Sequence, residues 1–398
     1  MRIGVYGGTF DPPHMGHLTA AVAAARLLGL EKLIFIPAGI PPHKELANQT
    51  PDAQHRLAMV RLMAEQAAVE TKIDVSVSTV EIEREGRSYT VDTLRGLRGE
   101  YQSDELWLLM GTDMFLTFQN WRAPEEILSM CGICAFGRSE SDTEELFAVQ
   151  RQYLAQRFPN ARITTLTLPN VVEVSSTQLR AELSANGIAR ELLPTVQGYI
   201  LRAGLYGTEC DLKQLPLEKL RPAALSFLHA KRVPHVLGTE ETAVKLAERY
   251  GADVEQARVA ALLHDCTKRL SMEDQLALCE LYGIELDELE RETAKLLHAK
   301  TGAVLARDLF GVNDAVYAAI SWHTTGKAGM TTLEKVLYLA DYIEPTRDFE
   351  GVERLREAVW RDLDEGLLLG LTMTVEEMRG KGYVIHPNTL RAIESLRG

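Results

Sequence analysis

The fold is indicated near the amino terminus by the stretch GGTFDPPHMGH, residues 7–17, which directly follows a short apolar run. Gly7 and Gly8 allow the backbone to approach a ligand closely. His14 and His17 fall where this loop enters a segment with helical periodicity. A helix amino terminus offers free N–H groups and the positive end of the helix dipole, both of which attract phosphate. The stretch therefore predicts a strand, a phosphate-binding loop and a helix, although it matches neither G-x-G-x-x-G nor a Walker A loop.

The rest of the first half alternates short apolar runs with helical patterns. This alternation is typical of a parallel sheet covered by helices on both faces. Ligands then bind at the carboxyl ends of the strands. We predict strands at residues 3–6, 33–36, 73–82, 106–110, 133–136 and 163–168. We predict helices at residues 18–28, 54–65, 91–97, 123–128 and 143–157.

The second half loses the strand pattern. From about residue 215 onward, Ala, Leu, Glu and Arg recur at helical spacing, for example at residues 254–263, 286–297 and 332–343. The predicted fold class is therefore α/β: a Rossmann-like parallel-sheet domain followed by an all-α domain. The predicted boundaries are 1–206 for the first domain, 207–214 for a linker and 215–398 for the second domain.

Composition excludes some classes of partner. The formal net charge of the 398-residue chain is -13, which argues against nonspecific binding to nucleic acid or anionic membranes. No apolar run approaches the roughly 18 residues of a membrane helix. Five cysteines without framework spacing fit a reducing compartment, so a cytoplasmic location is expected. Cys131 and Cys134 form a C-x-x-C without a second pair, which favours structural cysteines over a zinc site. A homo-oligomer is compatible with these properties.

The H-x-G-H element at residues 14–17 resembles the signature of the nucleotidyltransferase superfamily. Further elements narrow the resemblance to bacterial nicotinate-mononucleotide adenylyltransferases over about residues 1–206. They are PPHK at 41–44, GRSYTVD at 86–92, GTD at 111–113, Trp121, and SST at 175–177 with Arg180.

This resemblance implies in-line attack on the α-phosphate of ATP, release of pyrophosphate, and Mg²⁺ bridging the phosphates. It implies catalytic roles for His14, His17 and Lys44. It implies a pyridine pocket formed by Tyr89, Thr90 and Trp121. Binding of ATP would use Gly7, Gly8, Thr9, Phe10, Gly111, Asp113, Arg138, Ser176, Thr177 and Arg180.

Other interpretations of the first domain stay open. The acceptor could be another phosphorylated compound, such as phosphopantetheine. Ser175, Ser176 and Thr177 could be an ordinary helix cap. Trp121 could belong to the core, and Lys44 to the solvated surface.

In the second half, the sequence AALLHD at residues 260–265 ends an apolar helical stretch and is followed by Lys268. Further histidines and an aspartate occur at the ends of neighbouring predicted helices. Together they provide a candidate ligand set of His235, His264, Asp265, His298, His323 and Asp341. Imidazole and carboxylate ligands suit iron, manganese, zinc or nickel.

This order of ligands resembles the HD superfamily of phosphohydrolases, and more narrowly the bacterial HD-type diadenosine tetraphosphate hydrolases, over about residues 215–398. The resemblance implies two metal ions, with iron as the expected metal, and symmetrical cleavage of the substrate into two ADP. Asp265 would bridge the metals, while Lys268 and Arg347 would face phosphate. His235, His264 and Asp341 would complete one site, and His298 and His323 the other. A phosphatase for mononucleotides or cyclic dinucleotides, or a regulatory nucleotide-binding module, remains an alternative.

Overall fold

A computed structural model of the chain describes residues 1–40, 50–137, 142–168 and 175–397. The tertiary contacts divide the chain into two units, Met1–Glu209 and Cys210–Gly398. This division falls within the predicted linker of residues 207–214. Among the described residues, no helix is both long enough and apolar enough to cross a membrane.

Within the described residues of the first unit, six parallel strands form one sheet in the order β3-β2-β1-β4-β5-β6. The chain adds strands on one side of β1 and then crosses over to add β4 on the other side. Loops on the two sides of this reversal diverge and leave a crevice at the carboxyl ends of the strands. The strands are β1 Arg2–Gly8, β2 Lys32–Pro37, β3 Asp74–Val77, β4 Glu105–Gly111, β5 Cys131–Phe136 and β6 Ile163–Leu166.

Helices cover both faces of this sheet, so each face has its own apolar core. Alternate residues of β1 point to opposite faces. Ile3 and Val5 therefore join one core, and Tyr6 joins the other. The helices are α1 Met15–Leu28, α2 Ala53–Thr71, α3 Thr90–Glu100, α4 Thr112–Leu116, α5 Pro124–Met130, α6 Glu144–Arg157, α7 Ser176–Asn186 and α8 Pro194–Arg202.

The predicted third strand at residues 73–82 is only half right. Strand β3 ends at Val77 because its pairing with β2 ends at Phe35. Beyond it, the carbonyl of Thr79 accepts the N–H groups of Ile82 and Glu83, which makes a turn. The alternating residues that suggested a longer strand therefore belong to this turn.

The second unit is all-helical over its described residues. Its core draws on most of the helices and is rich in Ala and Leu. The helices are α9 Leu217–Leu225, α10 Val233–Tyr250, α11 Val254–Leu263, α12 Met272–Leu281, α13 Glu288–Glu292, α14 Ala294–Phe310, α15 Asp314–Trp322, α16 Thr332–Ile343, α17 Val352–Arg361, α18 Leu363–Gly380 and α19 Pro387–Arg397.

One predicted helix, at residues 286–297, is in fact two helices. Asp287 caps α13 in a reciprocal capping box with Glu290. Thr293 then adopts an extended conformation, with φ −128° and ψ 94°, and starts α14. The break was not predicted because helical periodicity continues through residue 293.

We expect Gly132→Ala to destabilise the first unit. Gly132 lies opposite Trp107 in the sheet, and a Cβ atom there would come within 2.7 Å of the indole ring. Overpacking of this kind typically costs about 1–3 kcal/mol, which thermal unfolding would detect. Gly96→Ala is the matched control, because a Cβ at that helical position meets nothing within 4 Å. Equal melting temperatures for Gly132→Ala and the unmodified chain would contradict this account of the packing.

Candidate functional sites

The first unit contains a cavity of about 390 Å³ where the strand order reverses between β1 and β4. It opens at the carboxyl ends of both strands, where the sheet topology places a ligand. Most of the predicted nucleotide-site residues lie in its wall. These are Gly7, Gly8, Thr9, Phe10, His17, Tyr89, Thr90, Gly111, Asp113, Trp121 and Ser176.

His14 and His17 begin helix α1 and contact each other. Their ring centroids are 3.8 Å apart. The backbone N–H of His14 donates to Nδ1 of His17 across 3.2 Å. Since Nδ1 accepts, the proton of a neutral His17 ring lies on Nε2. His17 therefore has a hydrogen-bond donor at the cavity, next to the amino terminus of α1.

Arg180 is held by Asp11 of the glycine-rich loop. Its Nη1 donates to the Asp11 carbonyl at 2.8 Å, and its Nη2 donates to Thr177 Oγ1 at 3.2 Å. The Asp11 carboxylate also accepts from the hydroxyl of Tyr206 at 2.8 Å. Ser175 Oγ caps helix α7 by accepting from the Gln178 N–H. The helix-cap interpretation thus holds for Ser175, while Ser176 reaches the cavity wall.

Aromatic residues also line the cavity. Tyr89 precedes α3, and Thr90 is its first residue. Trp121 lies against Phe118, with ring centroids 5.4 Å apart. The guanidinium of Arg122 lies 4.7 Å from the Tyr89 ring centroid and belongs to the cavity wall. Arg122 was not predicted, although its position next to Trp121 was a usable signal.

The remaining predicted residues of the nucleotide site are either outside the described residues or have other contacts. Lys44 and Arg138 lie outside the described residues. Phe10 has a buried ring that packs edge-on against Tyr6, so it anchors the loop as well as lining the cavity. His14, Thr177 and Arg180 do not line the cavity wall, and Arg180 and Thr177 bond to each other.

In the second unit, the predicted ligand set converges where helices begin or end. His235 Nε2 lies 3.0 Å from Asp341 Oδ1. His298 Nε2 lies 3.2 Å from Asp265 Oδ1 and 3.0 Å from His323 Nε2. Two overlapping groups have the spacing to hold a metal ion, namely His235 with His264 and Asp341, and His264 with Asp265 and His323.

Two of these imidazoles are oriented by their own helices. His264 Nδ1 lies 2.6 Å from the carbonyl oxygen of Ala261, and His323 Nδ1 lies 2.7 Å from that of Ile320. A carbonyl only accepts, so each Nδ1 carries the proton and each Nε2 has a lone pair. His264 Nε2 is buried and makes no hydrogen bond to any described residue. These features fit a metal ligand.

The charge states also fit metal binding. Burial lowers the pKa values of His264, His298 and His323, which keeps these rings neutral near pH 7. Burial alone would raise the pKa of Asp265, but the adjacent His264 and the hydrogen bond from His298 hold it well below its usual range. The pKa of Asp341 is lowered in the same way against its own burial. Neutral imidazoles and ionised carboxylates are the forms that bind metals.

The two oxygens of Asp265 face different partners. Oδ2 lies 3.6 Å from His264 Nε2 and 3.9 Å from His235 Nε2. Oδ1 lies 3.2 Å from His298 Nε2 and 4.0 Å from His323 Nε2. Histidines therefore lie on both sides of the Asp265 carboxylate, which is compatible with its predicted bridging role.

Basic side chains surround this centre. Lys268 Nζ lies 2.9 Å from His298 Nε2, and Arg347 Nη2 donates to Asp341 Oδ1 at 2.5 Å. Arg232 Nε donates to Asp265 Oδ2 at 2.7 Å. Lys268 and Arg347 were predicted here, and Arg232 was not.

Glu344 is a second residue that the sequence did not single out. It is fully buried, and its Oε1 lies 2.9 Å from Nδ1 of His235. A carboxylate in this position orients an imidazole whose other nitrogen binds a metal. The signal was spacing: Arg232 lies three residues before His235, and Glu344 lies three residues after Asp341.

A third acidic group, Asp287 and Glu290 with His386, has other partners. The Asn388 N–H donates to His386 Nδ1, so the ring proton lies on Nε2, 3.0 Å from an Asp287 oxygen. Lys300 pairs with Glu290 at 2.7 Å. This group is therefore explained by the contact of His386 with Asp287 and by the Lys300–Glu290 ion pair.

The two cysteines of the C-x-x-C pair are buried in the sheet and free. Burial raises the pKa of both Cys131 and Cys134 to about 12. Thiols in this state are poor nucleophiles and poor metal ligands. This observation supports their predicted structural role.

Comparison with known proteins gives a separate match for each half of the chain. The model of the cytidylyltransferase-like family matches residues 5–182, and that of the HD domain matches residues 232–346. The chain is 37% identical over 206 residues to a probable nicotinate-nucleotide adenylyltransferase of Desulfitobacterium hafniense, covering 52% of this chain and 95% of the relative. A protein of the same description from Pseudomonas syringae is 39% identical over 216 residues, covering 52% and 93%.

A solved structure from Clostridium acetobutylicum, described as a predicted HD superfamily hydrolase involved in NAD metabolism, is 39% identical to this chain. The match covers 46% of this chain and 98% of the other, with a TM-score of 0.45. The chain is thus an enzyme that belongs to the nicotinate-nucleotide adenylyltransferase family through its first half and carries an HD domain in its second half.

Proposed function

We propose that the first unit transfers AMP from ATP to nicotinate mononucleotide, giving nicotinate adenine dinucleotide and pyrophosphate. The main support is the cavity at the strand reversal, whose wall combines the glycine-rich loop and His17 with the aromatic residues Tyr89 and Trp121. Its relatives from Desulfitobacterium and Pseudomonas bear the corresponding description. The positive Arg122 beside Tyr89 suits the carboxylate that the nicotinate ring carries.

In this reaction a phosphate oxygen of the mononucleotide forms a bond to the α-phosphorus of ATP. The bond from that phosphorus to the bridging oxygen breaks, and pyrophosphate leaves with the electron pair. His17 would donate Nε2–H to the phosphate oxygens as charge accumulates, and the amino terminus of α1 would add its dipole. Thr9 and Ser176 would bind further phosphate oxygens. Bound with ATP, Mg²⁺ would neutralise phosphate charge.

We expect His17→Ala to lower kcat for adenylyl transfer by about 10²–10³, because one donor to the developing charge is lost. The KM values for both substrates should change much less. Steady-state kinetics with ATP and nicotinate mononucleotide measures both. His55→Ala is a suitable control, since His55 bonds to Tyr199 and does not line the cavity. An unchanged kcat for His17→Ala would remove the proposed role.

We propose that the second unit hydrolyses diadenosine tetraphosphate symmetrically at a two-metal centre. The support is the convergence of buried imidazoles on the carboxylate of Asp265. One ion would be held by His235, His264 and Asp341, and the other by His298 and His323, with Asp265 shared. The metals would supply Lewis acidity toward phosphoryl oxygens. Iron is the proposed metal, and the ligand types also suit manganese, zinc or nickel.

The basic residues of the centre would bind the polyphosphate. Lys268, Arg347 and Arg232 would offset its negative charge. One water molecule is consumed: a central P–O bond breaks, water supplies an oxygen to one phosphorus, and two ADP result. The intact ligand set speaks against a purely regulatory module, since such a module has no need of six converging ligands.

We expect Asp265→Asn to reduce the metal bound by the purified chain, because an amide lacks the charge and the second anionic oxygen that bridging requires. Elemental analysis after dialysis measures the metal content. Asp287→Asn is the matched control, because Asp287 lies outside this ligand set and contacts His386 instead. If Asp265→Asn retained as much bound metal as Asp287→Asn, Asp265 would not be a ligand.

We further propose that the two activities are independent. Asp265→Ala in the full chain should abolish formation of ADP from diadenosine tetraphosphate and leave adenylyl transfer unchanged. Chromatography of the products, with both assays on one preparation, tests this. Loss of both activities would show that the units are coupled, and retention of hydrolysis would show that the centre is assigned wrongly.

A further inference from the structure

A single buried guanidinium connects the loops at the carboxyl edge of the sheet. Arg56 lies on helix α2 and is only 2% exposed. Its Nη1 donates to the carbonyl of Ala38 at 2.7 Å and to that of Thr9 at 3.0 Å. Its Nη2 donates to the carbonyl of Gly39 at 3.2 Å. Arg56 itself does not line the cavity, whereas Thr9 and Ala38 do.

These carbonyls belong to two different functional segments. Thr9 is part of the glycine-rich loop after β1, which carries the phosphate-binding features. Ala38 and Gly39 follow β2, and the Ala38 N–H donates to the Gly8 carbonyl at 2.9 Å. Arg56 therefore fixes the distance between the end of β2 and the glycine-rich loop after β1.

The carbonyl of Gly39, which Arg56 binds, belongs to a segment that also contacts the loop before Tyr89. Gly39 packs so closely on the next segment that a Cβ atom there would lie 2.2 Å from the Glu81 carbonyl oxygen. One residue later, the carbonyl of Ile40 accepts the N–H of Ser88 at 3.0 Å. Ser88 immediately precedes Tyr89 in the cavity wall. A shift of Gly39 would consequently move the segment that carries Tyr89.

Arginine suits this position for a chemical reason. Carbonyls beyond the ends of parallel strands have lost their ladder partners, and leaving them unpaired in a buried place is unfavourable. A guanidinium offers five N–H donors in a rigid plane, so it can bind several carbonyls at once without a flexible hinge. Lysine concentrates its donors on one atom and cannot reproduce this spread.

We propose that Arg56 is a positioning residue for adenylyl transfer. It sets the distance between the glycine-rich loop after β1 and the segment with Tyr89, which would bind the acceptor nucleotide. This inference rests on the proposed function of the first unit. In-line transfer requires the attacking oxygen, the α-phosphorus and the leaving oxygen to be aligned, and a misplacement of about 1 Å can cost about 10² in rate.

The chain offers a matched control in Arg98. Its Nη1 donates to the carbonyls of Tyr101 and Asp104 at 3.1 and 2.6 Å, and its Nη2 donates to that of Met130. Tyr101 and Asp104 precede β4, and Met130 precedes β5, so these bonds lie at the amino ends of the strands. Arg98 thus ties together three carbonyls at the edge of the sheet opposite to the cavity.

The test compares Arg56→Met with Arg98→Met in the full chain, by steady-state kinetics of adenylyl transfer and by thermal unfolding. Both variants lose three bonds to carbonyls, so both should unfold at lower temperature. Only Arg56→Met should lose kcat, by about 10². Its KM values for ATP and nicotinate mononucleotide should change by less than about tenfold, and Arg56→Lys should recover part of kcat.

The outcomes separate the alternatives. Equal kcat losses in the two methionine variants, or a normal kcat for Arg56→Met, would overturn the positioning role while leaving the proposed function standing. A wild-type chain that forms no dinucleotide would overturn the proposed function, and this inference with it. If Arg56→Met does not fold, Arg56→Lys and Arg98→Lys give the same comparison, and a selective kcat loss in Arg56→Lys is the expected result.

Discussion

A charged side chain can be buried only where polar partners replace the water it loses, and this constraint shapes both sites. In the first unit, the buried charge of Arg56 is met by carbonyls of two loops that follow β1 and β2. In the second unit, the charge of Asp265 lies at the centre of a helical core and is met by imidazoles and Arg232. Because each buried charge needs these partners, the loops around Arg56 have to lie within hydrogen-bonding distance of it, and the helix ends around Asp265 likewise. Each charge therefore fixes the relative positions of the segments that contact it.

The general fold could be predicted because two periodicities are visible in the sequence. Short apolar runs alternate with helical patterns in the first half, and the helical period alone continues through the second half. Local boundaries were less predictable. Residues 78–82 alternate like a strand, yet β2 provides no partner beyond Phe35. Residues 286–297 keep a helical period across Thr293, where the backbone is extended. In both places the local structure depends on contacts with other parts of the fold, and the periodicity of the sequence carries no information on those contacts.

The candidate sites were predictable to the extent that their residues have chemical signatures. Histidines beside an aspartate at helix ends indicated the ligand set of the second unit, and the structure brings those six residues together. Arg232, Glu344 and Arg56 were missed because each acts through a partner distant in sequence. Arg56 is the clearest case: on a helical pattern a lone arginine looks like solvated surface, and only the fold shows that it is buried.

The bonds from His264 to Ala261 and from His323 to Ile320 span three residues each, inside one helix end. The direction of each Nε2 lone pair is therefore encoded in a tetrapeptide and is established as soon as that helix turn forms. Packing between helices decides only how far apart the lone pairs lie. The orientation of each imidazole ring and the distance between the rings are thus set by different parts of the structure. Substitutions in the distant core could therefore change the distance between the histidines without changing the orientation of their rings.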